Sequence, residues 1–134
     1  MYTGACLCGG IRYEIRGEIS KIVCCHCSEC RKAQGSAFAT NGVVAATEFK
    51  LVAGENLLAR YEPSPGYAKF FCSHCGSPII SKNEQRPGQV RVRIGTIESE
   101  IVERPMAHIF VGSKANWEEI NDALPQFEGL MDIK

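Results

Sequence analysis

Apolar residues along this chain recur mostly at every second position, the spacing of a strand with one face buried, and seldom at the spacing of a helix. In "QVRVRIG", Val90, Val92 and Ile94 fall on one face, and Arg91 and Arg93 fall on the other. Similar short runs rich in β-branched and aromatic residues occupy 11–15, 19–24, 37–44, 49–52, 57–61, 68–71, 78–81, 89–94 and 108–111. Glycine and proline punctuate them, at Gly17, Gly54, "PSPG" and "RPG". The pattern predicts a mainly β fold of nine short strands arranged in small sheets. Helical signals are scarce. One short helix is expected over Ser28–Gln34, with Ser28 as N-cap and Glu29 in its first turn. A second is expected over 117–121, after Asn116.

With 134 residues, the chain fits a single domain, 1–134, and leaves little room for another. Hydrophobic residues make up 45% and charged residues 22%, as in ordinary globular proteins. Fifteen basic residues balance fifteen acidic ones, and no basic tail or aromatic-plus-basic stripe is present. Nucleic acid is therefore not an expected partner, and neither is an anionic membrane surface. No apolar run is long enough to cross a bilayer. "MYTGACLCGG" lacks the basic and apolar regions of a secretory signal, so a cytoplasmic location is expected. Nothing in the sequence fixes an oligomeric state.

The eight cysteines change this picture, because a small β fold has a thin core and metal binding can supply folding free energy. The missing signal and the tight C-x-C and C-x-x-C spacings favour metal over disulfides, and the spacings suit tetrahedral zinc. Three clusters are distinguishable. In "CLCGG", Cys6 and Cys8 point to one side of an extended segment, and Gly9 and Gly10 allow a positive-φ turn that brings backbone N–H groups toward sulfur. In "CSHCG", Cys72 and Cys75 form a C-x-x-C knuckle with Gly76 in the following place. Together these four cysteines make a closed site, which leaves no position for substrate and is structural.

The middle cluster, "CCHCSEC", differs. Cys25, Cys27 and Cys30 are ligand candidates, and Arg31 and Lys32 follow where the others have glycine. A helix N-terminus and nearby cations favour thiolate. Three thiolates on one zinc leave a coordination position for an exogenous ligand, as in catalytic sites. The competing reading is a second closed site completed by Cys24, His26, His74 or His108. Cys24 and His26 face away from Cys25 and Cys27 on an extended chain, His74 lies inside the other knuckle, and His108 is distant. Spacing alone leaves both readings open.

The ordered motifs "GACLCGGIRYEI", "CCHCSECRKAQGSAF", "KFFCSHCGSPI" and "HIFVGSKANWEEINDALPQFE" resemble the glutathione-dependent formaldehyde-activating enzyme family, whose superfamily includes centromere protein V. The resemblance spans about residues 4–127. It implies a β-tent fold of short antiparallel strands with zinc knuckles. It implies a structural zinc at Cys6, Cys8, Cys72 and Cys75 and a functional zinc at Cys25, Cys27 and Cys30, two per chain. Cys24 falls outside the family's pattern and reads as a buried spare or an oxidation-responsive thiol. The implied activity is a carbon–sulfur lyase-type reaction joining a small thiol, glutathione or a relative, to formaldehyde or another aldehyde.

Arg31, Lys32 or Lys114 would offset the anionic centre. Gly35 and Ser36 would meet a substrate carboxylate, and Phe38 and Trp117 would wall the thiol pocket, although core packing is the commoner use of both aromatics. Two other functions fit the same motifs. One is a thiol carrier that binds glutathione without catalysis, and the other is a zinc-scaffolded interaction module.

Overall fold

The computed structural model describes residues 1–130, so positions 131–134 of the expected domain lie outside the described residues. The described residues form ten strands and one α-helix: β1 Tyr2–Ala5, β2 Arg12–Ile15, β3 Ser20–Cys25, α1 Ser28–Gln34, β4 Ala39–Ala45, β5 Phe49–Ala53, β6 Leu58–Ser64, β7 Tyr67–Cys72, β8 Pro78–Asn83, β9 Gln89–Arg93 and β10 Ala107–Ile109. They build a three-stranded sheet, β1-β2-β5, and a seven-stranded sheet, β10-β3-β4-β9-β8-β7-β6. The mainly β expectation holds. All named strand pairs are antiparallel except β10 with β3, which is parallel.

β1 is the strand the pattern did not predict. Gly4 interrupts its apolar run, and the reason for glycine lies across the pair: a Cβ there would sit 2.2 Å from the Tyr13 ring. The expected helix at 117–121 does not form. Five residues are too few to nucleate a helix without tertiary support. Trp117 is exposed, and the Lys114 ammonium donates to the carbonyls of Ala115 and Glu118, holding a turn instead.

Alternation gives the seven-stranded sheet two unlike faces. On one face, Val44, Ile80, Val90 and Val92 pack with Tyr13 and Ile15 of the small sheet, and with Ile11 just before β2, to make the main core. Cys6 and Cys72 are buried in that core. On the other face, the register sets Asn41 beside Arg93, Arg91 beside Ser81, Ser81 beside Lys69 and Tyr67 beside Asn83. Asn41, Ser81, Arg93 and Lys69 are nevertheless buried. A second, smaller core of Val23, Ala39, Ala107 and Ile109 includes Cys25 and Cys30. Each cysteine cluster is thus anchored in a different core.

Candidate metal centre and its cleft

The first site comes from two tight turns. Gly9 and Gly76 both adopt left-handed φ, 77° and 81°. Their N–H groups bond back to the carbonyls of Cys6 and Cys72 at 3.0 and 2.8 Å. The turns bring backbone donors to sulfur, with Ile11 N–H 3.2 Å from Cys6 Sγ and Cys75 N–H 3.5 Å from Cys72 Sγ. The Sγ atoms of Cys6, Cys8, Cys72 and Cys75 lie within 4.8 Å of one another. Cys6–Cys8 and Cys8–Cys72 are 3.5 and 3.9 Å apart. Four sulfurs about 2.3 Å from one zinc ion would be separated by about 3.8 Å, so this cluster fits the metal. All eight cysteines are free thiols. Ser77 Oγ accepts from Leu7 N–H and lies 3.4 Å from Cys75 Sγ, and its hydroxyl holds Cys75 down to about 5.

The second cluster sits where β3 runs into α1. Cys25 ends the strand, Cys27 caps the helix and Cys30 lies in its first turn. The N-cap is therefore Cys27, not Ser28. Its sulfur accepts from Cys30 N–H at 3.3 Å, a role that suits a thiolate better than a hydroxyl one residue later. The three Sγ atoms lie within 4.8 Å of one another, and among the described residues no fourth Cys, His, Asp or Glu joins them. Cys27 is held down to about 2, first by the Cys25 thiol, then by the Cys30 thiol, and further by the Cys30 N–H and the charge on Lys69. The same contact pushes the Cys25 thiol up.

The four candidates for completing this site point elsewhere. Cys24 and His108 are register partners on the opposite face of β3. His26 follows the same alternation. Its Nε2 meets His108 Nδ1 at 2.8 Å, and His108 Nε2 meets the Asp122 carboxylate at 2.9 Å. Asp122 can only accept, so with a neutral imidazole at His108 the proton on Nε2 goes to Asp122 and Nδ1 accepts from His26. His26 is fully buried, its pKa is lowered by that burial, and its Nδ1 has no partner. His74 is exposed.

The three-cysteine cluster opens into a cleft of about 270 Å³. Asn41, Tyr67, Asn83, Arg91 and Phe110 line it, with the exposed Arg86 and Glu29. Phe110 holds a left-handed backbone, φ 56°, anchored by its N–H to the Gly129 carbonyl at 3.0 Å. Strain of this kind in a non-glycine residue collects at functional sites. Grooves of about 310 and 280 Å³ around Ala46, Lys82 and Val90 are as large, but no ligand cluster borders them.

The residues expected to wall the thiol pocket do not line this cleft. Gly35 is the left-handed C-cap of α1, bonding through its N–H to Arg31 at 2.7 Å. Ser36 donates to the Phe38 carbonyl at 2.6 Å. Phe38 packs on the rings of His26 and His108, on the reverse face. Trp117 is 67% exposed. Nor are the expected cations at the cleft. Arg31 donates to Ser113, Lys32 is exposed and Lys114 is tied into its own turn. The cations that face it are Arg86 and Arg91, with Lys69 and Arg93 on the same sheet face. No local motif marks these four, because strand register alone brings them to the site.

The profile of the family described as "Glutathione-dependent formaldehyde-activating enzyme" matches residues 1–113. Two relatives named for that family, from Aspergillus flavus and Aspergillus oryzae, are each 23% identical over 128 residues, 94% of this chain. The chain spans 58% of their length. A crystal structure of a Rhodobacter sphaeroides protein superposes with a TM-score of 0.63 at 23% identity, covering 75% of this chain and 91% of that one. That likeness concerns the fold alone.

Proposed function

We propose, from the premise that this chain belongs to the glutathione-dependent formaldehyde-activating enzyme family, that it joins a small thiol to formaldehyde or a related aldehyde. The observation that carries this reading is the cluster of Cys25, Cys27 and Cys30, which has no fourth protein ligand among the described residues and borders a cleft. Cys6, Cys8, Cys72 and Cys75 are the structural set and the three-cysteine cluster is the functional one, giving two zinc ions per chain. Zinc bound there would supply a Lewis acid that keeps a substrate thiol as thiolate at neutral pH.

The chain's own residues do the rest. Cys25, on the strand, and Cys30, in the helix, are buried in the second core and fix the geometry of the cluster. A small peptide-like thiol in this cleft would meet Asn41, Tyr67 and Asn83, whose polar atoms offer hydrogen bonds to amides. Arg86 and Arg91 in the same lining offer charge to a substrate carboxylate. In the reaction the sulfur adds to the aldehyde carbon, the carbonyl π pair moves to oxygen, and that oxygen takes a proton from water.

The test is exchange between formaldehyde and glutathione, followed by NMR magnetisation transfer with the zinc-loaded chain. Exchange is expected to accelerate with protein, and Cys30→Ser is expected to return it to the uncatalysed rate while the other zinc remains. Exchange no faster than in buffer would overturn the catalytic reading. If calorimetry also showed tight glutathione binding, the chain would be a carrier.

A further inference from the structure

The cleft beside the three cysteines is lined by two guanidinium groups that the fold leaves without an anion. Arg86 and Arg91 both line it, and among the described residues neither has a carboxylate within 4 Å. Glu29, the acid in the same lining, pairs with neither. Arg91 is half-buried, and its cross-strand neighbours do not satisfy it. Val43 on β4 is apolar, and Ser81 on β8 already meets the Arg93 guanidinium and the Tyr67 hydroxyl, each at 3.4 Å. Arg93 shares that face of β9 and is 2% exposed, so positive charge is concentrated along this wall. A planar guanidinium with free donors takes a carboxylate through paired hydrogen bonds.

Strand register sets how far that charge lies from the cysteines. Cys25 pairs with Ala39 on β4, and Arg91 pairs with Val43 on the same strand. Arg91 is therefore two strands across and four residues along from Cys25. At about 4.8 Å per strand and about 3.3 Å per residue, their Cα atoms are about 16 Å apart. Leaning toward each other at full stretch, the two side chains span about 9 Å, which leaves about 7 Å between guanidinium and sulfur. A carboxylate beside a substrate's sulfur reaches Arg91 only at that full stretch. One placed a peptide unit further out reaches it without. Asn41, another cleft residue, lies midway along β4 between the two, so an amide stands where a peptide unit would pass.

We propose that Arg91, assisted by Arg86, sets the substrate class of the reaction proposed above by binding the carboxylate of a peptide-type thiol, one peptide unit removed from the group that carries sulfur. The order of charge in the cleft gives the same preference. Glu29 stands in the helical turn between Cys27 and Cys30, where it disfavours a carboxylate beside sulfur, whereas the arginines come from β9 and the turn before it. Thiols without the distant carboxylate still reach the cysteines but gain nothing from the arginine wall. A charge-assisted pair of this kind is worth about 10-fold in affinity or more. This inference rests on the reading of the three-cysteine site as the place where thiol binds.

The test is calorimetric binding of three thiols to the zinc-loaded full chain: mercaptopropionyl-glycine, its neutral glycinamide counterpart of the same length, and mercaptoacetate. The parent is expected to bind the glycine acid about 10-fold more tightly than the amide, and mercaptoacetate no more tightly than the amide. Arg91→Met is expected to remove the acid's advantage while zinc content and amide binding stay as in the parent. Arg86→Gln, on an exposed turn, is expected to reduce that advantage, and it decides the matter where Arg91→Met does not fold. Equal binding of acid and amide by the parent, or mercaptoacetate binding as tight as that of the longer acid, would overturn the assignment. So would full advantage in Arg91→Met, or in Arg86→Gln where Arg91→Met does not fold. An acid advantage lost on substitution, in a chain that accelerates no exchange with formaldehyde, would uphold the carboxylate site and sink the aldehyde reading instead. Accelerated exchange with no acid advantage would do the reverse.

Discussion

Two buried histidines sit back to back with the proposed reactive cluster. The Asp122–His108–His26 chain orders the tautomers, leaving His26 neutral with an unpartnered Nδ1. Burial lowers the His26 pKa, so the unfolded chain binds its proton more readily than the folded one. The stability contributed by neutral His26 is therefore complete above its unfolded value of 6.5 and is lost as pH falls through it. Zinc release from protonated cysteines acts in the same direction, so the comparison must be with a variant that keeps them. Urea unfolding of His26→Phe is expected to lose less stability between pH 7.5 and 5.5 than the parent does, although it is less stable at pH 7.5. Equal losses would show that His26 does not carry the pH dependence. The residue scale also shows what local pattern conceals. Lys69 in "YAKFF" reads as an ordinary outward-facing position of a strand, and only the neighbours on β8 and β9 make it a buried cation.

Among the elements, the glycine turns are the parts whose sequence and geometry agree most closely. "CLCGG" and "CSHCG" predict positive φ after the cysteines, and Gly9 and Gly76 adopt it. A Cβ at Gly76 would meet nothing within 4 Å, so Gly76→Ala carries only the backbone cost of left-handed φ, about 1–2 kcal/mol. Gly54 differs. Its φ is 86°, and a Cβ would sit 2.2 Å from the Gly10 carbonyl oxygen and 2.7 Å from Ile11 Cα. Both obstacles are backbone, so they cannot swing aside. Gly54→Ala is expected to lower the urea midpoint more than Gly76→Ala does, and the reverse order would contradict the packing of the 10–11 segment on the turn after β5. The α1 helix was legible from its first-turn acid, Glu29. Its cap was not, because the usual preference ranks serine while the strand-to-helix turn places a cysteine sulfur there.

At the scale of the whole molecule, the four-cysteine cluster joins the two sheets. Cys6 follows β1 of the small sheet, and Cys72 ends β7 of the large one. Both are buried in the core the sheets share. Cys72→Ser is therefore expected to abolish cooperative urea unfolding. Cys30→Ser, in the smaller core, is expected to keep a single transition with a lower midpoint. A cooperative Cys72→Ser variant would show that apolar packing alone holds the sheets together. The sequence by itself determined the mainly β class, the grouping of the cysteines and the family resemblance, because period-two alternation, ligand spacing and glycine turns are local properties of the chain. It did not determine the cleft. Gly35, Ser36, Phe38 and Trp117 are near the cysteines or the family motif in sequence but lie away from the cleft in space. Asn41, Tyr67, Asn83, Arg91 and the buried Lys69 come together only through the pairing of β4, β9, β8 and β7. Strand register is a long-range choice, made by the burial of the apolar face, and the polar face is carried along with it.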